Sequence, residues 1–159
     1  MVHIHFEKIS RWFDRYGNIF EKSKIFFPVN IQNYHWTLIV VDLERKTIQY
    51  FDSCYGDGSE YINVVKRYLL DKWKLVYKDD IEKLQEFESF ENSQWEIINF
   101  PPNVPQQGDT QNCGVFLCLF ADRISEGLEY NELQPEVLNT RGRMYILSCL
   151  KECVVPSNV

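Results

Sequence analysis

The sequence has 159 residues and a formal net charge of −6, so it is long enough for one globular domain and lacks the basic field that nucleic-acid binding requires. Its longest apolar runs, Leu38–Val41 and Val115–Ala121, are too short to span a membrane, and its N-terminus does not match a secretory signal. Five cysteines without a CxxC pair indicate reduced thiols, so we expect an intracellular protein, nuclear or cytoplasmic, with a single domain over residues 1–159.

The first third of the chain predicts a short helix followed by a β-sheet. Apolar residues at spacings of three and four predict an amphipathic helix over His5–Arg15. Lys24–Asn30 is typical of a short strand, and Pro28 favours the edge of a sheet. The apolar run His35–Asp42 and the β-rich run Thr47–Asp52 are separated by four polar residues, which predicts an antiparallel hairpin.

The remaining elements alternate between helix and strand. We expect Ser59 to cap a helix that extends to about Lys74, and a solvated helix or insertion over the charged residues 78–93. A third strand is predicted over Trp95–Phe100, a buried helix over Cys113–Ile124 and a closing helix over residues 135–153. Because strands and helices are intermixed and one strand pair is antiparallel, the predicted fold class is α+β.

His35 and Asp52 are the first candidates for chemistry. A lone histidine at a strand is more often structural, and an aspartate that ends a strand more often belongs to a turn. In the predicted hairpin, however, the two are diagonal neighbours on one face, with Cα atoms about 7–8 Å apart. A carboxylate there can hold the tautomer of an imidazole and stabilise its protonated form. The pair therefore predicts a general base with its orienting acid, provided that the hairpin register holds.

Cys113 is the candidate nucleophile. It begins the predicted apolar helix, where unpaired backbone N–H groups favour a thiolate, and Gly114 leaves room for a substrate backbone. Gln106 and Gln107 shortly precede it, and a side-chain amide together with the Cys113 N–H can donate to a developing oxyanion. The other thiols are predicted to be inert, with Cys54 in a loop and buried small side chains at Cys118, Cys149 and Cys153.

Four short motifs occur in a fixed order, namely His35-Trp36, Asp52-Ser53, Pro105-Gln106-Gln107 and Asn112-Cys113-Gly114. The interval is 17 residues from His35 to Asp52 and six from Gln107 to Cys113. Together they resemble the SUMO-specific (sentrin-specific) cysteine proteases, peptidase family C48, which process and deconjugate ubiquitin-like modifiers. The resemblance extends from about residue 6 to residue 152.

The resemblance implies a papain-like cysteine protease fold with a permuted His-Asp-Cys order and a central mixed or antiparallel sheet flanked by helices. By motif position, Cys113 would be the nucleophile, His35 its general base and acid, and Asp52 the residue that orients His35. Gln107 would support the oxyanion hole. Residues in contact with the substrate's Gly-Gly tail would be Trp36, Gly114 and Gln106. A core tryptophan at a strand start is an equally good interpretation of Trp36.

The implied function is a thiol protease or isopeptidase that cleaves after the C-terminal Gly-Gly of a SUMO-like modifier. It would act as a monomer without a cofactor, on modifier precursors, on conjugates or on both. Nedd8 or ubiquitin tails, acetyl transfer by a related effector-type fold, a viral polyprotein and a non-catalytic, modifier-binding pseudoprotease stay open. The sequence lacks the N-terminal segment that forms one wall of the family's substrate tunnel, and Asn112 stands where the family commonly has Asp.

A metal site is not expected from the sequence. His3 and His5 lack the spacing of structural zinc ligands. Cys149 and Cys153, four residues apart on a predicted helix, have no evident partner ligands.

Overall fold

The computed structural model describes residues 13–15, 17–91, 95–133 and 141–152. The predicted helix over His5–Arg15 lies mostly outside this part of the chain, although Phe13 and Asp14 are helical. The strands are β1 (Lys24–Ile31), β2 (His35–Asp42), β3 (Thr47–Phe51) and β4 (Glu96–Ile98). The helices are α1 (Ser59–Val76), α2 (Ile81–Glu91), α3 (Cys113–Ser125) and α4 (Arg143–Glu152), with short 3-10 turns at Ile19–Glu21 and Tyr130–Glu132.

The four strands form one mixed sheet in the order β1-β2-β3-β4. Four residues join β2 to β3, a connection that only antiparallel neighbours allow. β4 instead pairs parallel to β3, with Thr47 opposite Glu96 and Gln49 opposite Ile98, because α1 and α2 supply the crossover that parallel strands need. The predicted α+β class is confirmed, and β1 with Pro28 lies at the edge of the sheet as expected.

The chain divides into two compact units, which are described separately. The first combines Met1–Phe27, as far as it is described, with Ile39–Tyr50 and Asp57–Pro101. Its core consists of aliphatic side chains of β2 and β3 packed with one face of α1, including Ile39, Val41, Ile48, Ile62, Val65 and Leu69. Each such side chain contributes about 1.5–3 kcal/mol by leaving water. The Trp73 indole donates to the Lys83 carbonyl at 2.9 Å and so joins α1 to α2.

The second unit combines Pro28–Leu38, Phe51–Gly56 and the described residues from Pro102 onwards. Its core is aromatic, because the Phe51 ring packs against Phe120 and Tyr130 at centroid distances of 5.7 and 4.9 Å. The buried side of α3 is formed by Cys113, Val115, Phe116, Leu119 and Phe120. Every candidate site residue predicted from the sequence belongs to this unit.

The start of α1 differs from the prediction that Ser59 caps the helix. Gly58 is the N-cap residue, and the Asp57 carboxylate supplies the cap by accepting from the Ser59 amide at 2.9 Å. The Ser59 hydroxyl, the Ser59 amide and Asn99 all donate to Asp57, and these bonds lower the pKa of Asp57 to about 2. The carboxylate is the stronger acceptor for an unpaired N–H group at the positive end of a helix.

The predicted closing helix over residues 135–153 is present in the part that the structure describes. Its described part is α4, and none of its residues is buried. Met144, Leu147 and Leu150 are all exposed, so the apolar periodicity marks a helix at the surface rather than one sealed in the core. No helix in the described part of the chain has the length and apolar character needed to cross a membrane.

We predict that Gly58→Ala destabilises the protein by about 1–3 kcal/mol, because a Cβ at this position would overlap the buried Tyr50 ring. The free energy of unfolding in urea measures the effect. Gly108→Ala is the matched control, since a Cβ there meets nothing within 4 Å, and it should change stability little. Equal stability of the two variants would contradict the close packing of Gly58 on Tyr50.

Candidate active site

The central contact of the site joins the start of β2 to the end of β3. The His35 Nε2 atom lies 2.7 Å from Asp52 Oδ1, so the diagonal neighbours of the predicted hairpin are in hydrogen-bond contact. Because Nε2 faces the carboxylate, Nδ1 is the ring nitrogen that is left for a second partner. A bond of this length fixes both the orientation and the tautomer of the ring.

The turn that follows β3 is built around the Asp52 carboxylate. Oδ1 also accepts from the Cys54 amide at 2.7 Å, and Oδ2 accepts from the Gly56 amide at 2.9 Å. The Asp52 side chain is only 4% exposed, and a buried charge is tolerated when hydrogen bonds replace its lost hydration. Two backbone amides and an imidazole therefore hold this carboxylate in one position.

Cys113 begins α3 and is largely buried. The turn before it is ordered by Asp109, whose Oδ1 accepts from the Gln111 and Asn112 amides at 2.7 and 3.0 Å. The Gln111 bond is the main reason why the pKa of Asp109 is lowered. Arg143 at the start of α4 donates to the Gln111 carbonyl at 2.9 Å and to Asn112 Oδ1 at 3.1 Å. The loop before Cys113 is thus held by Asp109 within the loop and by Arg143 of α4.

A cavity of about 650 Å³ lies in front of Cys113, within the second unit. Trp36 and Tyr34 line it together with Cys113 and Gly114 at the start of α3, and Ile146 and Leu147 of α4 add apolar side chains. Trp36 is 42% exposed, so it contributes to the cavity wall and not to the core. A Cβ on Gly114 would lie 3.7 Å from the Trp36 ring, which makes the gap between them narrow.

The two glutamines join the loop before Cys113 to the turn after β3. Gln106 Nε2 donates to the carbonyls of Val104 at 3.0 Å and Asp52 at 3.3 Å. The backbone N–H of Gln107 donates to the Ser53 carbonyl at 3.0 Å. The side-chain Oε1 of Gln107 accepts from the Ser53 hydroxyl at 2.5 Å. Gln107 Nε2 donates one hydrogen to the Asp109 carbonyl at 2.7 Å. Both glutamines are therefore positioning residues here, and their predicted roles towards substrate stay predictions.

The Cys113 sulfur and the His35 imidazole belong to the same compact unit and are not bonded to each other. In the described part of the chain, no hydrogen bond joins the His35 ring to the Cys113 sulfur. Such contacts are often long in a free enzyme and shorten when substrate binds. Cys54, predicted from the sequence to be an inert loop thiol, lies beside the pair, and its Sγ is within 4.8 Å of His35 and Asp52 ligand atoms.

Two predictions on the remaining cysteines are wrong. Cys118 and Cys149 are exposed, whereas both were expected to be buried, and Cys153 lies outside the described residues. The buried stripe of α3 does not include position 118, so Cys118 faces the cavity, where partial burial raises its pKa. Burial also raises the pKa of Cys54, with smaller contributions from the charges of Asp52 and Cys113.

The comparisons with known proteins agree with this arrangement. The model of the Ulp1 protease family, C-terminal catalytic domain, matches residues 4–151. Sentrin-specific protease 2 of Homo sapiens is 31% identical over 140 residues, which cover 87% of this chain and 22% of that protein. The chain therefore spans about a fifth of the length of the curated relatives that it matches.

Solved structures share the fold. The SUMO protease Ulp1 with its catalytic cysteine oxidized to a sulfonic acid gives a TM-score of 0.64 at 22% identity, over 91% of this chain and 63% of that one. The C-terminal Ulp1 protease domain in complex with Smt3, the yeast ortholog of SUMO, gives 0.59 at 24% identity, over 89% and 58%. The predicted papain-like fold with a mixed sheet flanked by helices is confirmed.

We predict that Gly56→Ala breaks the contact between His35 and Asp52 without unfolding the protein. A Cβ at position 56 would lie 2.5 Å from Asp52 Oδ2, so the carboxylate must move away from its two amide donors and from the ring. In proton NMR, the ring N–H held by Asp52 should lose its downfield, slowly exchanging signal. Gly127→Ala is the control, because it strains a backbone at φ +72° away from the carboxylate and should keep the signal. An unchanged signal in Gly56→Ala would contradict the proposed displacement.

Proposed function

The chain belongs to the Ulp1 protease family, and on that premise we propose that it is a thiol protease and isopeptidase acting after the C-terminal Gly-Gly of a SUMO-like modifier. The observation that carries the proposal is the 2.7 Å contact between His35 and Asp52, in the same compact unit as a cysteine at a helix N-terminus. The substrates are modifier precursors, modifier conjugates or both. The solved structures that share the fold include the SUMO protease Ulp1 and the C-terminal Ulp1 protease domain in complex with Smt3.

In the proposed reaction, Cys113 Sγ attacks the carbonyl carbon of the terminal glycine and transfers its proton to His35. His35 then gives the proton to the leaving amine, and the C–N bond breaks to leave a thioester on Cys113. Water, deprotonated by His35, attacks the thioester, and the sulfur leaves with a proton. Asp52 stabilises the protonated ring at each step through the Nε2 contact.

Charge on the carbonyl oxygen develops next to the N-terminus of α3. The Cys113 backbone N–H and its neighbours in the first turn are donors there, since the first N–H groups of a helix have no partner within the helix. The Gln107 NH₂ group carries two hydrogens, and the bond to Asp109 uses one of them. We assign the other to the oxyanion, with Gln107 kept in place by Ser53.

The cavity in front of Cys113 suits a substrate tail without side chains. Trp36 and Gly114 line this cavity together, and a flat indole beside a residue without a side chain favours a tail of glycines over one with bulky side chains. Gln106 supports the site indirectly, because its side-chain Nε2 donates to the Asp52 backbone carbonyl. The apolar side of α4 extends the same cavity beyond the reacting atoms.

The proposal includes a partner and a compartment. The partner is a modifier of the ubiquitin fold, and the chain acts on it as a monomer. The compartment is reducing, nuclear or cytoplasmic, and this is supported by four free thiols among the described residues, at Cys54, Cys113, Cys118 and Cys149.

We predict that Cys113→Ala abolishes cleavage of a SUMO precursor while binding of the mature modifier persists. Removing the nucleophile of such a site costs about 10⁶-fold in kcat. Release of a fluorophore from the C-terminus of SUMO, Nedd8 and ubiquitin measures cleavage and identifies the modifier. Cys149→Ala, which removes an exposed thiol on α4, is the control and should keep full activity.

A glycine-ended electrophilic probe should form an adduct at Cys113 and spare Cys118, as read by mass spectrometry. Turnover by Cys113→Ala at the wild-type rate would contradict the mechanism. A wild-type chain that binds modifier but forms no adduct would instead be a pseudoprotease.

We predict that Gly56→Ala lowers kcat/KM about 100-fold, because displacement of Asp52 releases the ring from its working orientation. The loss should appear in kcat with little change in KM, since residue 56 does not line the cavity within the described part of the chain. Gly127→Ala again controls for backbone strain. A loss that appears in KM alone would contradict the role of Asp52 as the residue that orients His35.

A further inference from the structure

The thiol of Cys54 has no role in the mechanism, yet it lies beside the His35–Asp52 pair. One ligand atom from each of His35, Asp52 and Cys54 lies within 4.8 Å of the others. We propose that these three side chains bind a thiophilic divalent metal ion, Zn²⁺ by its chemistry, and that the bound ion disables the site. The inhibitory part rests on the proposed function, whereas the binding part does not.

The position of Cys54 is set by the backbone of the turn. Its amide donates to Asp52 Oδ1 at 2.7 Å, and the next amide, of Tyr55, donates to the Asp52 carbonyl at 3.2 Å. Tyr55 adopts a left-handed conformation with φ of 58°, which closes the turn. The same hydrogen bonds that hold the carboxylate therefore fix the backbone from which the Cys54 side chain reaches the ring.

Thiolate, imidazole and carboxylate together are a zinc-binding set. Zinc takes sulfur at about 2.3 Å and nitrogen or oxygen at about 2.0–2.2 Å in a tetrahedron, so its ligand atoms are roughly 3.3–3.6 Å apart. Atoms already within 4.8 Å reach that spacing by small side-chain rotations. The sulfur ligand disfavours Mg²⁺ and Ca²⁺, which prefer oxygen. The fourth position is open to water or to the Cys113 sulfur.

The surroundings favour a cation. The Asp52 carboxylate accepts from the Cys54 amide at 2.7 Å, and its negative charge beside the Cys54 side chain attracts a divalent ion. On binding, Cys54 loses its proton to solvent as the metal–sulfur bond forms. Access is from the Cys54 side, since Cys54 is exposed while the His35 and Asp52 side chains are 16% and 4% exposed.

The bound ion would stop the proposed reaction by occupying the base. A lone pair of the His35 ring that bonds to the metal cannot take a proton from Cys113, and a metal-bound Asp52 oxygen no longer orients the ring. A metal held only by Cys113 and His35 would be insensitive to residue 54. Metal binding that depends on Cys54 therefore distinguishes the proposed site from a metal ion bound only by Cys113 and His35.

Binding is tested with Co²⁺, which gives a near-ultraviolet cobalt–thiolate band, followed by competition with Zn²⁺. The titration uses the whole chain as wild type and as Cys113→Ala, so no turnover is required. Cys54→Ser should weaken Co²⁺ binding at least about 100-fold in both backgrounds and remove the thiolate band that remains in Cys113→Ala. Cys149→Ser, an exposed thiol away from the cluster, should leave binding and band unchanged.

Inhibition is the second measurement, with each variant compared with its own metal-free activity. Zn²⁺ should inhibit the wild type reversibly, with recovery on adding a chelator, and Cys54→Ser should need at least about tenfold more Zn²⁺. Equal Co²⁺ affinity of Cys54→Ser and wild type would overturn the site. A chain without activity on any modifier would overturn the proposed function, while the cobalt titration would still decide the metal site.

Discussion

The geometry of the site depends on one buried negative charge, the Asp52 carboxylate. A carboxylate that leaves water costs several kcal/mol unless donors replace its hydration. Here the donors are the Cys54 and Gly56 amides and the His35 ring, at 2.7, 2.9 and 2.7 Å. The turn after β3 closes because it satisfies this charge, and the imidazole is fixed as one of its donors. The orientation of the His35 ring is therefore a consequence of compensating a buried charge.

The pair of glutamines before Cys113 has a structural explanation in the same terms. Gln106 binds the Asp52 carbonyl, and Gln107 binds Ser53 through both its backbone amide and its side chain. The loop that leads to Cys113 is thus attached directly to the turn that holds the carboxylate. Two segments that are distant in the chain keep a fixed spacing, which proton transfer requires to within a fraction of an ångström. An amide at both positions is needed because each contact uses side-chain donors or acceptors that aliphatic residues lack.

Much of the site could be predicted from the sequence because its parts are local. The hairpin brings His35 to Asp52 through a four-residue connection, and Cys113 marks the point where a polar loop becomes an apolar helix. Burial could not be predicted in the same way, because it depends on what a helix face meets in three dimensions. The apolar residues of α4 face a cavity and the surface, so Leu147 and Leu150 are exposed, as is Cys118 on α3. The bond from the Ser59 amide to Asp57 is local, but the same carboxylate also accepts from Asn99, 42 residues away, and no local pattern shows that contact.

At position 54 the backbone is constrained and the side chain is not. This difference explains how the same turn can hold Asp52 and also offer a metal ligand. Its backbone amide is required, since it is one of the donors that keep Asp52 buried. Its side chain is not one of the donors in these three bonds to the carboxylate, and the residue is exposed. A thiol at this position therefore leaves the hydrogen bonds of the turn unchanged while adding a soft ligand next to the proton-transfer pair. The turn that orients the His35 ring is, by the same geometry, the place where a single side chain would supply the sulfur ligand of the proposed metal site.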